Sequence, residues 1–181
     1  MSGLKKMSGL KKILIVIGSV IALATGLNLY FQYQNHQEHM QLKTSFEERD
    51  NIDVLQRLMA SEKYASDIRK AGYTIPSDGA IRLDGGIASI EIKGDIDLDI
   101  SNPGRNGVTA YFRIEIEGKI TSVLYELDKN FDIVSSAYFQ TNEKNKNERV
   151  TIPQAEEERL LKIVQKELGA FMEKMYQTLY G

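Results

Sequence analysis

His36 and His39 stand three residues apart in a stretch of helical character, a spacing that can turn two imidazoles to one side for a metal ion. No third ligand of a suitable kind lies close, so the plainer reading is a solvated pair near lipid head groups. Asp95, Asp97 and Asp99, with Glu91, offer the oxygen ligands that calcium takes. Alternate carboxylates on a strand stand about 7 Å apart, too far for a loop-wrapped cage, and a wet sheet face explains them better. Gly85-Gly86 and Asn102-Pro-Gly-Arg-Asn-Gly107 are rich in glycine, but neither joins a strand to a helix N-terminus, which phosphate binding needs. They read as turns. Ser135 and Ser136 have no histidine in the folded part to activate them, so no triad assembles. With 0 Cys and 2 His, disulfides, thiolate zinc sites, iron–sulfur clusters and cysteine nucleophiles are excluded, and histidine chemistry nearly vanishes. The expectation is a non-enzymatic protein with no catalytic, cofactor-binding or metal-binding residues.

The elements that would position any site begin with a greasy segment. From Ile13 to Phe31 there is no charge, and 19 residues at about 1.5 Å each reach nearly 30 Å, the thickness of a bilayer's hydrocarbon. Ile13, Val16, Val20, Leu23, Leu27, Tyr30 and Phe31 are the expected anchor residues, with Tyr30, Phe31 and Tyr33 at one rim. Lys5, Lys6, Lys11 and Lys12 flank the other, which places the N-terminus in the cytoplasm and the remainder outside it. The competing reading is a cleavable signal peptide ending near Ala22-Leu-Ala24, against which apolar and aromatic residues run on to Phe31. Met1-Ser-Gly-Leu-Lys-Lys6 recurs at 7–12, which reads as a duplicated start or a second initiation Met at Met7, not as a structural repeat. The organisation expected is a cytoplasmic basic tail over 1–12, a transmembrane anchor over 13–33, a helical stalk over 34–60 and an extracytoplasmic domain over 61–181.

The length of 181 residues has room for one ordinary domain beside the anchor. Of 23 basic and 25 acidic residues, four lysines precede the domain, leaving 19 against 25 and a net charge of −6. That sign excludes the usual nucleic-acid binder. Leu42, Phe46, Ile52, Leu55, Leu58 and Met59 recur at helical spacing, with a break expected near Ser61 and a short helix over 61–71 ended by Gly72. The period then becomes two. After a short opening strand at Ala80 to Leu83, Ile90, Ile92, Ile96, Leu98 and Ile100 alternate with Glu91, Lys93, Asp95, Asp97 and Asp99. This reads as one strand, paired with 108–116 so that Ile100 faces Val108, Asp95 faces Arg113 and Lys93 faces Glu115. Gly118-Lys119 turns into 120–127, Asp128 to Phe131 turns into 132–139, and Thr141 to Arg149 reads as a loop. A helix with a first-turn Pro153 then carries Leu160, Leu161, Val164, Leu168, Phe171, Met172, Met175 and Leu179 as an apolar stripe. The fold class expected is α+β: an N-terminal transmembrane helix, a helical stalk, and an antiparallel meander of about five strands covered by a long C-terminal helix. The stripe has two readings, a cover for the sheet or a docking face for a partner made of Leu161, Val164, Leu168, Phe171 and Met175.

Ala71-Gly72-Tyr-Thr-Ile-Pro76, Gly85-Gly-Ile-Ala-Ser-Ile90 and Ser101-Asn-Pro-Gly-Arg-Asn-Gly107 follow one another as a helix close, a small-residue strand start and a turn. In this the segment from about Ala60 to Phe139 resembles the cytochrome oxidase assembly factor one family, which is related to the intermembrane-space domain of a regulatory subunit of the mitochondrial presequence translocase. It departs in having Asn102 where that turn has Gly, a longer loop after Pro103, and the helix from Pro153. The resemblance implies an assembly or scaffolding role at a respiratory or protein-conducting membrane complex, with no catalytic residues. The partners expected are a lipid bilayer and a membrane protein complex, and the alternative function is a tethered periplasmic domain binding a small ligand. The absence of an Arg-rich, Ser-rich leader points to a bacterial inner membrane instead of a mitochondrion.

Overall fold

A computed structural model describes residues 9–76, 85–101, 107–141 and 146–181, and side chains from Val16 onward. The chain forms two compact units, Met1–Gln41 and Leu42–Gly181. Helix α1, Gly9–Glu47, provides the first unit and the opening turns of the second. Among the described residues it is the one helix long and apolar enough to cross a membrane. In the first unit its apolar side chains have no core to enter: Val16, Val20, Leu23, Leu27, Tyr30 and Phe31 are 56% to 68% exposed. Water disfavours such a surface, whereas hydrocarbon solvates it and the helix satisfies its own backbone groups. Ile13 lies on the same helix.

The second unit starts with Leu42, fully buried near the end of α1. Two breaks follow where one was expected. The first, at 48–50, has Arg49 in the left-handed region at φ 57° and Asp50 capping helix α2, Asn51–Met59, by accepting a hydrogen bond from the Asp53 amide at 3.1 Å. Arginine in that conformation costs about 1 kcal/mol. The turn lets Val54, Leu55, Leu58 and Met59 enter the core, each such burial being worth about 1.5–3 kcal/mol. The second break is the expected one. Ser61 accepts from the Lys63 amide, a 3-10 turn Glu62–Tyr64 leads into helix α3, Ala65–Lys70, and Gly72 at φ 93° closes it. The Gly72 and Tyr73 amides donate to the carbonyls of Arg69 and Ile68, a Schellman close that requires a left-handed residue.

Six antiparallel strands follow in chain order, β1 Ser89–Lys93, β2 Asp97–Ser101, β3 Val108–Ile116, β4 Lys119–Leu127, β5 Ile133–Thr141 and β6 Asn147–Val150. The opening strand expected at Ala80 to Leu83 lies outside the described residues. The run from Ile90 to Ile100 is two strands, with Ile90 opposite Ile100 and Ile92 opposite Leu98 around a turn at 94–96. Opposite residues of an antiparallel pair share a face, so folding the run in half leaves every isoleucine and leucine where a straight strand would put it. Alternation alone therefore cannot see the turn. The register with β3 changes with it: Ile100 faces Ala110 and Leu98 faces Phe112, and the expected pairs of Asp95 with Arg113 and Lys93 with Glu115 do not form. Asp95 instead meets Lys166 at 2.7 Å.

The turn from β3 to β4 is Glu117-Gly118, one residue earlier than expected, with φ of 51° and 75°. Both central residues of a type I′ turn must be left-handed, which suits a glycine at the second. The connector expected as a loop contains β6, while 142–145 lie outside the described residues. Its polarity misleads because β6 is an edge strand whose Asn147, Glu148 and Arg149 are exposed. At the other edge, β1 is bridged by Thr74 through two backbone bonds with Glu91. Helix α4, Gln154–Tyr180, begins just after Pro153, whose carbonyl accepts from the Glu156 and Glu157 amides. One core joins Leu160, Val164, Leu168, Phe171 and Met175 of α4 to Ile90, Leu98, Ile100, Phe112 and Tyr125 of the sheet. The fold is α+β, with the sheet covered on one face.

Candidate functional site

The face of the sheet left uncovered among the described residues follows from the register. One row across it reads Glu91, Asp99, Tyr111, Leu124 and Ala137, each directly opposite the next. A neighbouring row reads Arg113, Ser122, Phe139 and Arg149. Tyr111, Leu124, Ala137 and Phe139 are half-buried, lie outside the core cluster, and form an apolar centre. Ile120 on the same face is 61% exposed.

Electrostatics divide this face. Glu91 and Asp99 are directly opposed like charges, which a sheet disfavours, and Asp97 lies beside them. Burial, then the charges of Glu91 and Asp97, hold the Asp99 carboxyl above its ordinary range. Lys93 answers only in part, its ammonium standing 3.8 Å from Glu91 and 68% exposed. On β3 the Tyr111 hydroxyl accepts from Arg113 Nε at 2.7 Å and shares a 3.3 Å hydrogen bond with Ser122 Oγ. Burial would raise this phenol, but the hydrogen bonds from Ser122 and Arg113 and the guanidinium charge outweigh it and lower its pKa. Two groups on adjacent strands of this face are thus shifted in opposite senses, Asp99 up and Tyr111 down.

Two further polar constellations are structural. The Tyr138 hydroxyl donates to Glu157 Oε1, which also accepts from Ser136 Oγ at 2.9 Å, and Tyr138 stands 3.4 Å from the Tyr125 hydroxyl. Burial pushes both phenols up, and Glu157 adds to the shift. This network fastens the first turns of α4 to β4 and β5. Glu167 is 9% exposed and accepts from the Asp95 amide at 3.1 Å, fastening the middle of α4 to the β1–β2 turn.

Of the residues singled out by type, His36 is exposed and His39 half-buried on α1. Asp95 is drawn away to the turn, while Asp97 and Asp99 share the open face with Glu91. Ser135 donates to Glu126 at 2.7 Å and Ser136 to Glu157. Residues 102–106 lie outside the described residues. Among the described residues no three His, Asp or Glu side chains gather as a metal site. Val164, Leu168, Phe171 and Met175, candidates for docking, are fully buried and Leu161 is half-buried. A side chain without exposed surface offers a partner none while the domain stays closed, so the stripe covers the sheet. Alternation marks the Glu91, Asp97 and Asp99 side as a wet face but not the cluster of Tyr111, Arg113 and Ser122 on it, because Tyr111 and Arg113 show only strand alternation; their i, i+2 spacing beside an acidic alternation is the available signal. Among the described residues, one open cleft lies against Lys119, Gln140 and Arg149 and another between α3 and α4. Comparisons with protein-family models, with curated proteins and with solved structures find no match for this chain.

Proposed function

We propose that this chain is a single-pass, membrane-tethered interaction module that assists the assembly or stability of a membrane complex, a respiratory one by the resemblance of 60–139. Its folded domain would lie outside the cytoplasm at a bacterial inner membrane, as the lysine flank of the apolar span suggests. The observation that carries the reading is a pair: a helix able to span a bilayer, and a separate α+β unit with one sheet face uncovered and apolar at its centre. Sheets with one polar and one packed face are ordinary, but half-exposed Tyr111, Leu124 and Phe139 give this face something to bury.

The test is made on native membranes. Alkaline carbonate should leave the full-length chain in the pellet, and mild detergent should recover it with one reproducible set of membrane subunits. Release by carbonate would remove the anchor. A lone chain carrying a bound small molecule would replace the interaction reading with ligand binding.

A further inference from the structure

We propose that the uncovered sheet face, from β1 to β4, docks a cationic segment of a partner protein whose basic side chains sit on Glu91, Asp97 and Asp99 and whose apolar ones sit on Tyr111 and Leu124. This rests on the interaction reading above and names the surface and the chemistry of its partner.

Charge selects the occupant. Glu91 and Asp99 face each other directly across two strands, with Asp97 one position along the same face. The only nearby cation of the hairpin on this face, Lys93, stands 3.8 Å from Glu91 and keeps 68% of its side chain exposed. A guanidinium or ammonium from outside would relieve that repulsion, and an acidic or neutral segment would not. Two other cations of this region are already engaged: Lys166 by Asp95 at the turn, and Arg113, on β3 of the same face, by the Tyr111 hydroxyl. The domain's charge of the same sign would draw a cationic partner in from a distance.

The adjoining residues supply the apolar half. Tyr111 lies directly opposite Asp99, and Leu124 lies opposite Tyr111, so two strand spacings, about 10 Å, separate acid from aliphatic. A few residues of peptide cover that distance. The Tyr111 ring is held by Arg113 and Ser122, so little freedom is lost when a partner packs on it.

The experiment uses the full-length chain in phosphatidylcholine nanodiscs, which carry no net lipid charge to compete. Probes are short labelled peptides of alternating lysine and leucine, of lysine and serine, and of glutamate and leucine, followed by fluorescence anisotropy. The lysine–leucine peptide should bind, weaken as salt rises, and weaken roughly tenfold with Glu91→Gln and Asp99→Asn together. These changes remove repulsion, so the fold should survive them, and an unchanged thermal midpoint confirms it. Asp97→Asn alone, on an exposed carboxylate, should weaken binding to a lesser degree. Equal binding of the glutamate–leucine peptide, or undiminished binding by the double variant, would overturn the proposal. Native-membrane recovery separates the two levels: a complex still recovered with the double variant leaves the interaction reading standing and dismisses this face. No complex recovered with the wild-type chain sinks the interaction reading itself.

Discussion

Glu167 places its carboxylate where a side chain at Gly94 would stand: a Cβ at position 94 would overlap both carboxylate oxygens, and one of them accepts the Asp95 amide at 3.1 Å. The turn that divides β1 from β2 is thus held by α4, over seventy residues away in sequence.

Gly94→Ala should therefore push the carboxylate out of its nearly buried seat and lose that hydrogen bond, at a cost of about 1–2 kcal/mol. In a Glu167→Ala background the same change should cost far less, because the space is then free. Thermal or denaturant midpoints of the four chains measure the coupling. Additive costs would mean that the two residues do not meet.

Leu98 is fully buried on β2, and its neighbour Asp97 is exposed. Leu98→Asp places a carboxylate without a partner in the core and should cost several kcal/mol, enough to unfold the domain. Asp97→Asn should leave the thermal midpoint nearly unchanged. Equal tolerance of both would reverse the faces of the sheet.

Asp99 supplies a pH test. Its folded pKa lies above the ordinary 3.8, so the folded state binds the extra proton, and stability falls as pH rises from 3.8 through the folded value. At neutral pH the charged carboxylate opposes folding. Asp99→Asn should then stabilise the domain by a few tenths of a kcal/mol at pH 7, and this gain should vanish below pH 3.8. Midpoints measured across that range decide it; a gain that persists in acid would implicate something other than charge.

Tyr138→Phe removes the donor to Glu157 and leaves the Tyr125 hydroxyl, on a fully buried ring, short of its neighbour. The expected loss is about 1–2 kcal/mol, with α4 loosening first where it meets β5. Both phenols are raised by burial, so stability is fully present below the ordinary pKa of 10 and is lost as pH rises toward the folded values. Ultraviolet titration should show a group of tyrosines that ionise only as circular dichroism records unfolding. Free titration of all tyrosines in the folded chain would contradict the burial.

What the amino-acid sequence determined by itself is local. The uncharged run from Ile13 to Phe31, the capping of Ser61, the close at Gly72, the face shared by Ile90, Ile92, Leu98 and Ile100, and the stripe on α4 all depend on residues within a few turns or pleats of one another. Propensity and periodicity carry that information, and it was legible. What only the tertiary structure decided is pairing. The turn at Gly94 leaves the alternation intact, so it is settled by Glu167 reaching it from α4 and by Leu98 meeting Phe112. Edge strand β6 forms although its residues are polar, because β5 supplies the hydrogen bonds. The open-face cluster has the same origin: Glu91, Asp99, Tyr111 and Leu124 are scattered along the chain and become neighbours only when three registers are set. Those registers are chosen by burial against α4, a contact between distant segments that no short-range pattern encodes.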